Sequence, residues 1–314
     1  MCVYDRSRSG EMSVLGCGMM RARAALVAAM LVSIGGLVGC SAPLEPELVV
    51  ESAPPTEVSE EVLLAWGQRV LEGQCMVEAG FRFVVSYTFS PIEEIDPMVQ
   101  LYGRTDIEWV EEYGYGIHQS PEIPEPVDQN ADYAETLSES EEVKFWNSYS
   151  GDPETNVAVD FVDIQGNPGS TSQGGCQRSA QGELYGDYEQ WVVSSNIFGN
   201  QDGIANQAVQ ADPEFQQGMA RWSDCMANEG FALADRSAAL QSAAAGMPDE
   251  ERSIALADAN CLVDTGMFEL AVQLHGREVA EFRTRYAAEW SVYEELRSDG
   301  LAQSLQLRDE YSND

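Results

Sequence analysis

The feature that most constrains this chain is a short phrase that occurs twice. Cys75-Met76-Val77-Glu78-Ala79-Gly80-Phe81 and Cys225-Met226-Ala227-Asn228-Glu229-Gly230-Phe231 share the pattern C-M-x-x-x-G-F, and each closes a stretch of helical periodicity. The spacing has a physical reason. Glycine takes the left-handed conformation that ends a helix, and the residue after it folds back onto the residue one turn inside. On this reading Gly80 and Gly230 are helix stops, Phe81 and Phe231 clasp Met76 and Met226, and each cysteine is anchored one residue earlier. No ligand is needed to explain the phrase.

The N-terminus is an address. Arg21 and Arg23 precede an apolar run, residues 24–37, that is shorter than the roughly 18–20 residues a helix needs to cross a bilayer. Residues 1–39 therefore read as a signal peptide. Residues 1–18, with Asp5 and Glu11 ahead of the basic pair, do not suit one, so translation is expected to start at Met19 or Met20. The run ends in Leu37-Val38-Gly39-Cys40-Ser41, which resembles the lipobox of bacterial lipoproteins, whose cysteine is diacylated and becomes the first mature residue. The resemblance implies lipidation at Cys40, palmitate included, and a domain held at the cell membrane on its extracytoplasmic face. Removing residues 1–39 takes four of the 17 basic and two of the 53 acidic residues, leaving a net charge of −38. Such a surface repels nucleic acid and bare anionic lipid, so attachment must rest on acyl chains.

After Cys40 the chain holds Cys75, Cys176, Cys225 and Cys261, an even number in an exported protein, which argues for two disulfides. Four cysteines allow three pairings. Sequential pairing, Cys75 with Cys176 and Cys225 with Cys261, keeps each bridge inside one half of the chain. A zinc site is the weaker reading, because there is no C-x-x-C and the only histidines are His118 and His275.

The paired phrases, Gly174-Gly175-Cys176, the helix start at Asp212-Pro213, and Ala257-Asp258-Ala259-Asn260-Cys261 before Thr265-Gly266 together resemble a family of actinobacterial secreted proteins and lipoproteins of unknown function. The resemblance implies export and paired cysteines, and carries no catalytic residue with it.

Residues 40–59, with Pro43, Pro46, Pro54 and Pro55, read as a lipidated polar tether. Helices are expected over 57–79, 106–113, 138–149 (opened by a Ser138/Glu141 capping box), 176–198, 212–229 and 235–245. Short strands are expected over 81–89 and, inside an irregular acidic insertion at 151–174, over 157–164. That insertion meets no calcium-loop pattern. From Pro248 the periodicity runs unbroken to Gly300, predicting one long helix with a kink at Gly266 or Gly276. The whole is a mainly α, disulfide-stapled domain with a long C-terminal helix, divided into a helical half at 60–199 and a helical hairpin half at 200–314.

Catalytic signatures are missing: there is no G-x-S-x-G, S-x-x-K, H-E-x-x-H, Walker loop or dinucleotide loop. His275 reads as a solvated or i,i+3-paired side chain. Tyr113-Gly114-Tyr115-Gly116-Ile117-His118 is the most site-like segment, and with Trp109 it makes Trp109, Tyr113, Tyr115 and His118 the candidate binding residues. No metal or cofactor is expected. The expected function is a non-enzymatic binding or structural module of the envelope, anchored to the membrane and partnered by an envelope protein or wall polymer. The alternatives are a solute-binding lipoprotein of a transporter and a carboxylate-dependent hydrolase.

Overall fold

A computed structural model describes residues 45–86, 96–121 and 128–312; the expected signal segment and the lipobox-like stretch ending at Cys40 lie outside the described residues. Helix α1 (Glu60–Glu78) begins at Ser59, whose hydroxyl accepts from the Val62 N–H, and ends as the repeated phrase predicts. Gly80 has φ 94°, its N–H donates to the Val77 carbonyl (2.9 Å), and the Phe81 N–H donates to Met76 (3.0 Å). Helix α9 (Pro213–Asn228) ends identically, with Gly230 at φ 97° donating to Ala227 (3.2 Å) and Phe231 donating to Met226 (2.8 Å). Met76 and Met226 are both 0% exposed, so each stop is clasped from inside the core. Cysteines 75, 225 and 261 all lie five residues before a positive-φ glycine, the third being Gly266 at φ 63°.

The disulfides are Cys75–Cys176 and Cys225–Cys261, the sequential pairing. They span sequence separations of 101 and 36 residues, so loop closure in the unfolded chain makes them worth about 5 and about 4 kcal/mol at most.

Two apolar cores lie beside them. The first gathers Leu64, Trp66 and Val70 of α1 and Phe83 of strand β2 (Phe83–Val85). Tyr133 of α4 (Gln129–Glu135), Phe145 of α5 (Glu139–Ser150), Leu184 of α6 (Gly175–Tyr185) and Leu307 of α13 (Ala287–Tyr311) also join it. The second gathers Tyr102 of α2 (Pro97–Tyr102), Val209 of α8 (Gln201–Ala211) and Trp222 of α9. To these it adds Ala239 of α10 (Arg236–Ala245), Ile254 of α11 (Pro248–Asp264) and Leu274 of α12 (Met267–Arg285). Beside it, α3 (Ile107–Tyr113) buries Val110 against Ala255 and Ala259 of α11. A cut at 199/200 separates most of each core, with two exceptions: α2 and α3 pack with the second, and α13 returns to the first.

Several elements depart from the sequence reading. Leu48–Val50, placed in the tether, forms strand β1, which pairs in parallel with β2, since three consecutive apolar residues find an open sheet edge over the first core. Of the strand expected over 81–89, residues 87–89 lie outside the described residues. The insertion carries a hairpin, β3 (Val159–Val162) with β4 (Pro168–Thr171). The helix expected over 176–198 is two: Gly186, at φ 78°, ends α6 and the Asp187 carboxylate caps α7 (Tyr188–Phe198) by accepting from the Gln190 N–H. The long helix from Pro248 is three, broken at Thr265-Gly266, one of the two positions where a kink is expected, and at Tyr286 (φ −112°, ψ 40°), where none is. Gly276 and Gly300 break nothing. Gly300 serves packing, because a Cβ there would lie 2.8 Å from the Tyr185 ring and 3.0 Å from Leu64. Among the described residues no helix is long and apolar enough to cross a membrane.

Candidate functional site

Helix α11 carries two acids seven residues apart, Glu251 and Asp258, which two helical turns place on one face. Both are 2% exposed, and each is fully engaged. Asp258 accepts from the Trp222 indole N–H (2.9 Å), the Tyr115 hydroxyl (2.9 Å) and Arg236 Nε (3.0 Å). Glu251 accepts three backbone N–H groups, those of Tyr115 (2.9 Å), Ile117 (2.9 Å) and His118 (3.1 Å). The loop after α3 is thereby laid along α11, with Tyr115 held at both ends. Burial, and then Asp258, push the Tyr115 hydroxyl well above the ordinary tyrosine range, so it stays a donor.

Arg236 opens α10. Its Nε is committed to Asp258, while its two terminal amino groups donate to no acceptor among the described residues. Gly103, at φ 105°, makes room for it: a Cβ there would lie 2.5 Å from Arg236 Cζ and 2.8 Å from a Leu262 methyl.

Two clefts share Gln100, Arg236 and Leu240. The smaller, about 250 Å³, is lined by Arg104, Trp109, Tyr115 and Asp258 as well. Arg104 lies over the Trp109 ring at 3.9 Å. This cleft thus carries two guanidinium groups against one carboxylate, and that carboxylate already has three donors. The larger cleft, about 390 Å³, is walled by Phe215, Met219, Leu262 and Met267. Two other grooves among the described residues lack the cationic surplus. The one between β3, α7 and α13 has Asp160, Glu189 and Glu289 and no basic lining residue, and in the groove beside Trp290 the Arg297 guanidinium is matched by Glu60 and Glu61.

Of the candidate binding residues, the structure brings Trp109 and Tyr115 to the smaller cleft. Tyr113 packs on Trp109 (5.1 Å between rings) outside that lining, and exposed His118 donates from Nε2 to the Gly246 carbonyl (3.1 Å). The loop is a clamped strap along α11, because its backbone donors have found a buried carboxylate. His275 corrects the sequence reading outright. It is 3% exposed, with Nδ1 2.8 Å from the Tyr102 hydroxyl and Nε2 2.9 Å from Asp202, which fits a ring that accepts from the phenol and donates to the carboxylate. The chain Tyr102–His275–Asp202 ties α2 and α8 to α12. Sequence reasoning missed Gly103, Arg104, Arg236, Glu251 and Asp258; the only signal was the seven-residue spacing of two acids on a helix otherwise rich in alanine. Among the described residues no group of three or more His, Cys, Asp or Glu is arranged to hold a metal.

Comparison of the chain with protein-family models, with curated proteins and with solved structures finds no match.

Proposed function

We propose that the protein is a lipid-anchored, non-enzymatic binding module of the bacterial envelope, tethered at Cys40 on the extracytoplasmic face, whose ligand presents a carboxylate to Arg104 and Arg236. The observation that carries this reading is the convergence of two of the chain's 17 basic residues on one cleft, with Arg236 oriented by Asp258 and its terminal amino groups left for a ligand. A guanidinium fixed through Nε offers its remaining N–H groups in a fork that matches a carboxylate. In a chain of net charge −36, such a local cationic surplus recognises an anion at contact range without drawing in polyanions from afar. Export is supported by the lipobox resemblance and by two disulfides, which persist in oxidising compartments. The cleft of about 390 Å³ favours a second reading, a solute-binding lipoprotein, because that volume suits a small molecule.

The test is thermal unfolding of the purified protein against monocarboxylates, dicarboxylates and amines at fixed ionic strength. Carboxylates are expected to raise the melting temperature and amines to leave it unchanged, with the rise reduced in Arg104→Gln. A flat response to every carboxylate would sink the proposal.

A further inference from the structure

We infer that the ligand at Arg236 is a free monocarboxylate with an apolar tail, an inference that rests on the carboxylate reading above and adds the other half of the molecule. The larger cleft places Phe215, Met219, Leu240, Leu262 and Met267 around the same arginine that the smaller cleft shares. At about 390 Å³ it sits near the lower end of the roughly 300–1,000 Å³ typical of small-ligand pockets. Its charged members are Arg236 and Asp235, and Asp235 is occupied as the cap of α10, accepting from the Ala238 N–H (2.8 Å). Tyr102, also in the lining, spends its hydroxyl on His275. The cationic donors left for a ligand are therefore the guanidinium's terminal amino groups, its Nε being held by Asp258, and most of the remaining wall is hydrocarbon and thioether.

Head and tail regions touch at a defined point. A Cβ on Gly103 would lie 2.5 Å from Arg236 Cζ and 2.8 Å from a Leu262 methyl, so the guanidinium and the apolar wall approach one another at this glycine. A carboxylate on Arg236 then has its α and β carbons beside Leu262, and the rest of the chain runs along Met219 and Met267, whose unbranched thioethers adapt to a flexible tail. A dicarboxylate finds no second cation in this cleft, since Arg104 lines only the smaller one.

The experiment is isothermal titration of the purified protein at fixed ionic strength with acetate, butyrate, hexanoate and octanoate, with octylamine, and with an acetylated tripeptide ending in leucine. Affinity is expected to rise roughly fourfold per added methylene until the cleft is filled. Octylamine is expected not to bind, and the peptide to bind more weakly than octanoate. Leu240 is 40% exposed, so Leu240→Glu leaves the fold intact, checked by an unchanged melting curve, and is expected to weaken octanoate more than tenfold. Acids that bind without any dependence on length overturn the tail and leave the carboxylate reading standing. No acid binding at all overturns both. Octylamine binding as tightly as octanoate shows that Arg236 reads no charge, and a peptide tighter than octanoate shows that the ligand is a chain terminus; either result overturns the inference.

Discussion

Alanine at Gly230 and alanine at Gly103 each put a side chain on positive-φ backbone, in two different surroundings. Both glycines lie in the left-handed half of φ space, at 97° and 105°. A Cβ on Gly230 meets nothing within 4 Å, so Gly230→Ala costs only the conformational penalty, about 1–2 kcal/mol. A Cβ on Gly103 falls 2.5 Å from Arg236 Cζ and 2.8 Å from Leu262, and the guanidinium cannot yield without leaving Asp258. Overpacking of this kind adds about 1–3 kcal/mol, for a total of about 2–5. At roughly 2 °C per kcal/mol for a domain of this length, the melting temperature drops about 2–4 °C for Gly230→Ala and about 4–10 °C for Gly103→Ala. Urea unfolding followed by far-ultraviolet circular dichroism, with disulfides intact, measures both. Carboxylate binding is retained in the first variant and lost in the second, because only the second displaces Arg236. Equal losses of stability would refute the reasoning, as would a Gly103→Ala protein that binds carboxylates like the parent.

Glu251→Gln replaces one acceptor oxygen with an amino group that cannot receive the His118 N–H, at a cost of about 1–3 kcal/mol. Hydrogen exchange is expected to quicken at the Tyr115, Ile117 and His118 amides while α11 keeps its protection; unchanged exchange at all three would contradict the strap. Tyr102 is pushed up to about 12, first by burial and then by the Asp202 charge, from the value of 10.0 expected in the unfolded chain. The folded state therefore holds a proton that the unfolded state has released, so this contribution is complete below pH 10 and is lost as pH rises toward 12. Tyr102→Phe is expected to flatten that part of the stability curve, and a variant whose alkaline dependence matches the parent's would refute the assignment.

Local chemistry was legible in the sequence and long-range chemistry was not. The stops at Gly80 and Gly230 follow from one residue's conformational freedom and its neighbour's apolarity, both visible in seven letters. The Ser138 N–H donates to Glu141 Oε2 (3.2 Å) and the Asp212 carboxylate accepts from the Glu214 N–H (2.7 Å), again within three residues. The break at Tyr286 carries no glycine or proline, so helical periodicity simply ran through it. Leu48–Val50 became a strand because β2 offered an edge 35 positions downstream in the register Leu48 with Phe83. Trp109 and Tyr115 could be picked out as aromatic, loop-proximal residues. The groups that give their cleft its sign could not, because Arg236 and Asp258 matter only once α9, α10 and the loop after α3 bring an indole, a guanidinium and a phenol to one carboxylate of α11.

The return of α13 to the first core has a consequence for the order of assembly. Its Leu296 and Leu307 pack with Leu64 and Trp66 of α1, and Arg297 pairs with Glu60 across 237 positions of sequence. Everything that builds the second core between α2 and α12 is thus threaded between the first and last helices of one continuous unit. As the chain emerges from its N-terminus, the second core can close while the first still waits for its final wall. Addition of the twenty-five residues of α13 completes the first core, so loss of α13 uncovers α1 and strands an otherwise finished cleft on an open base.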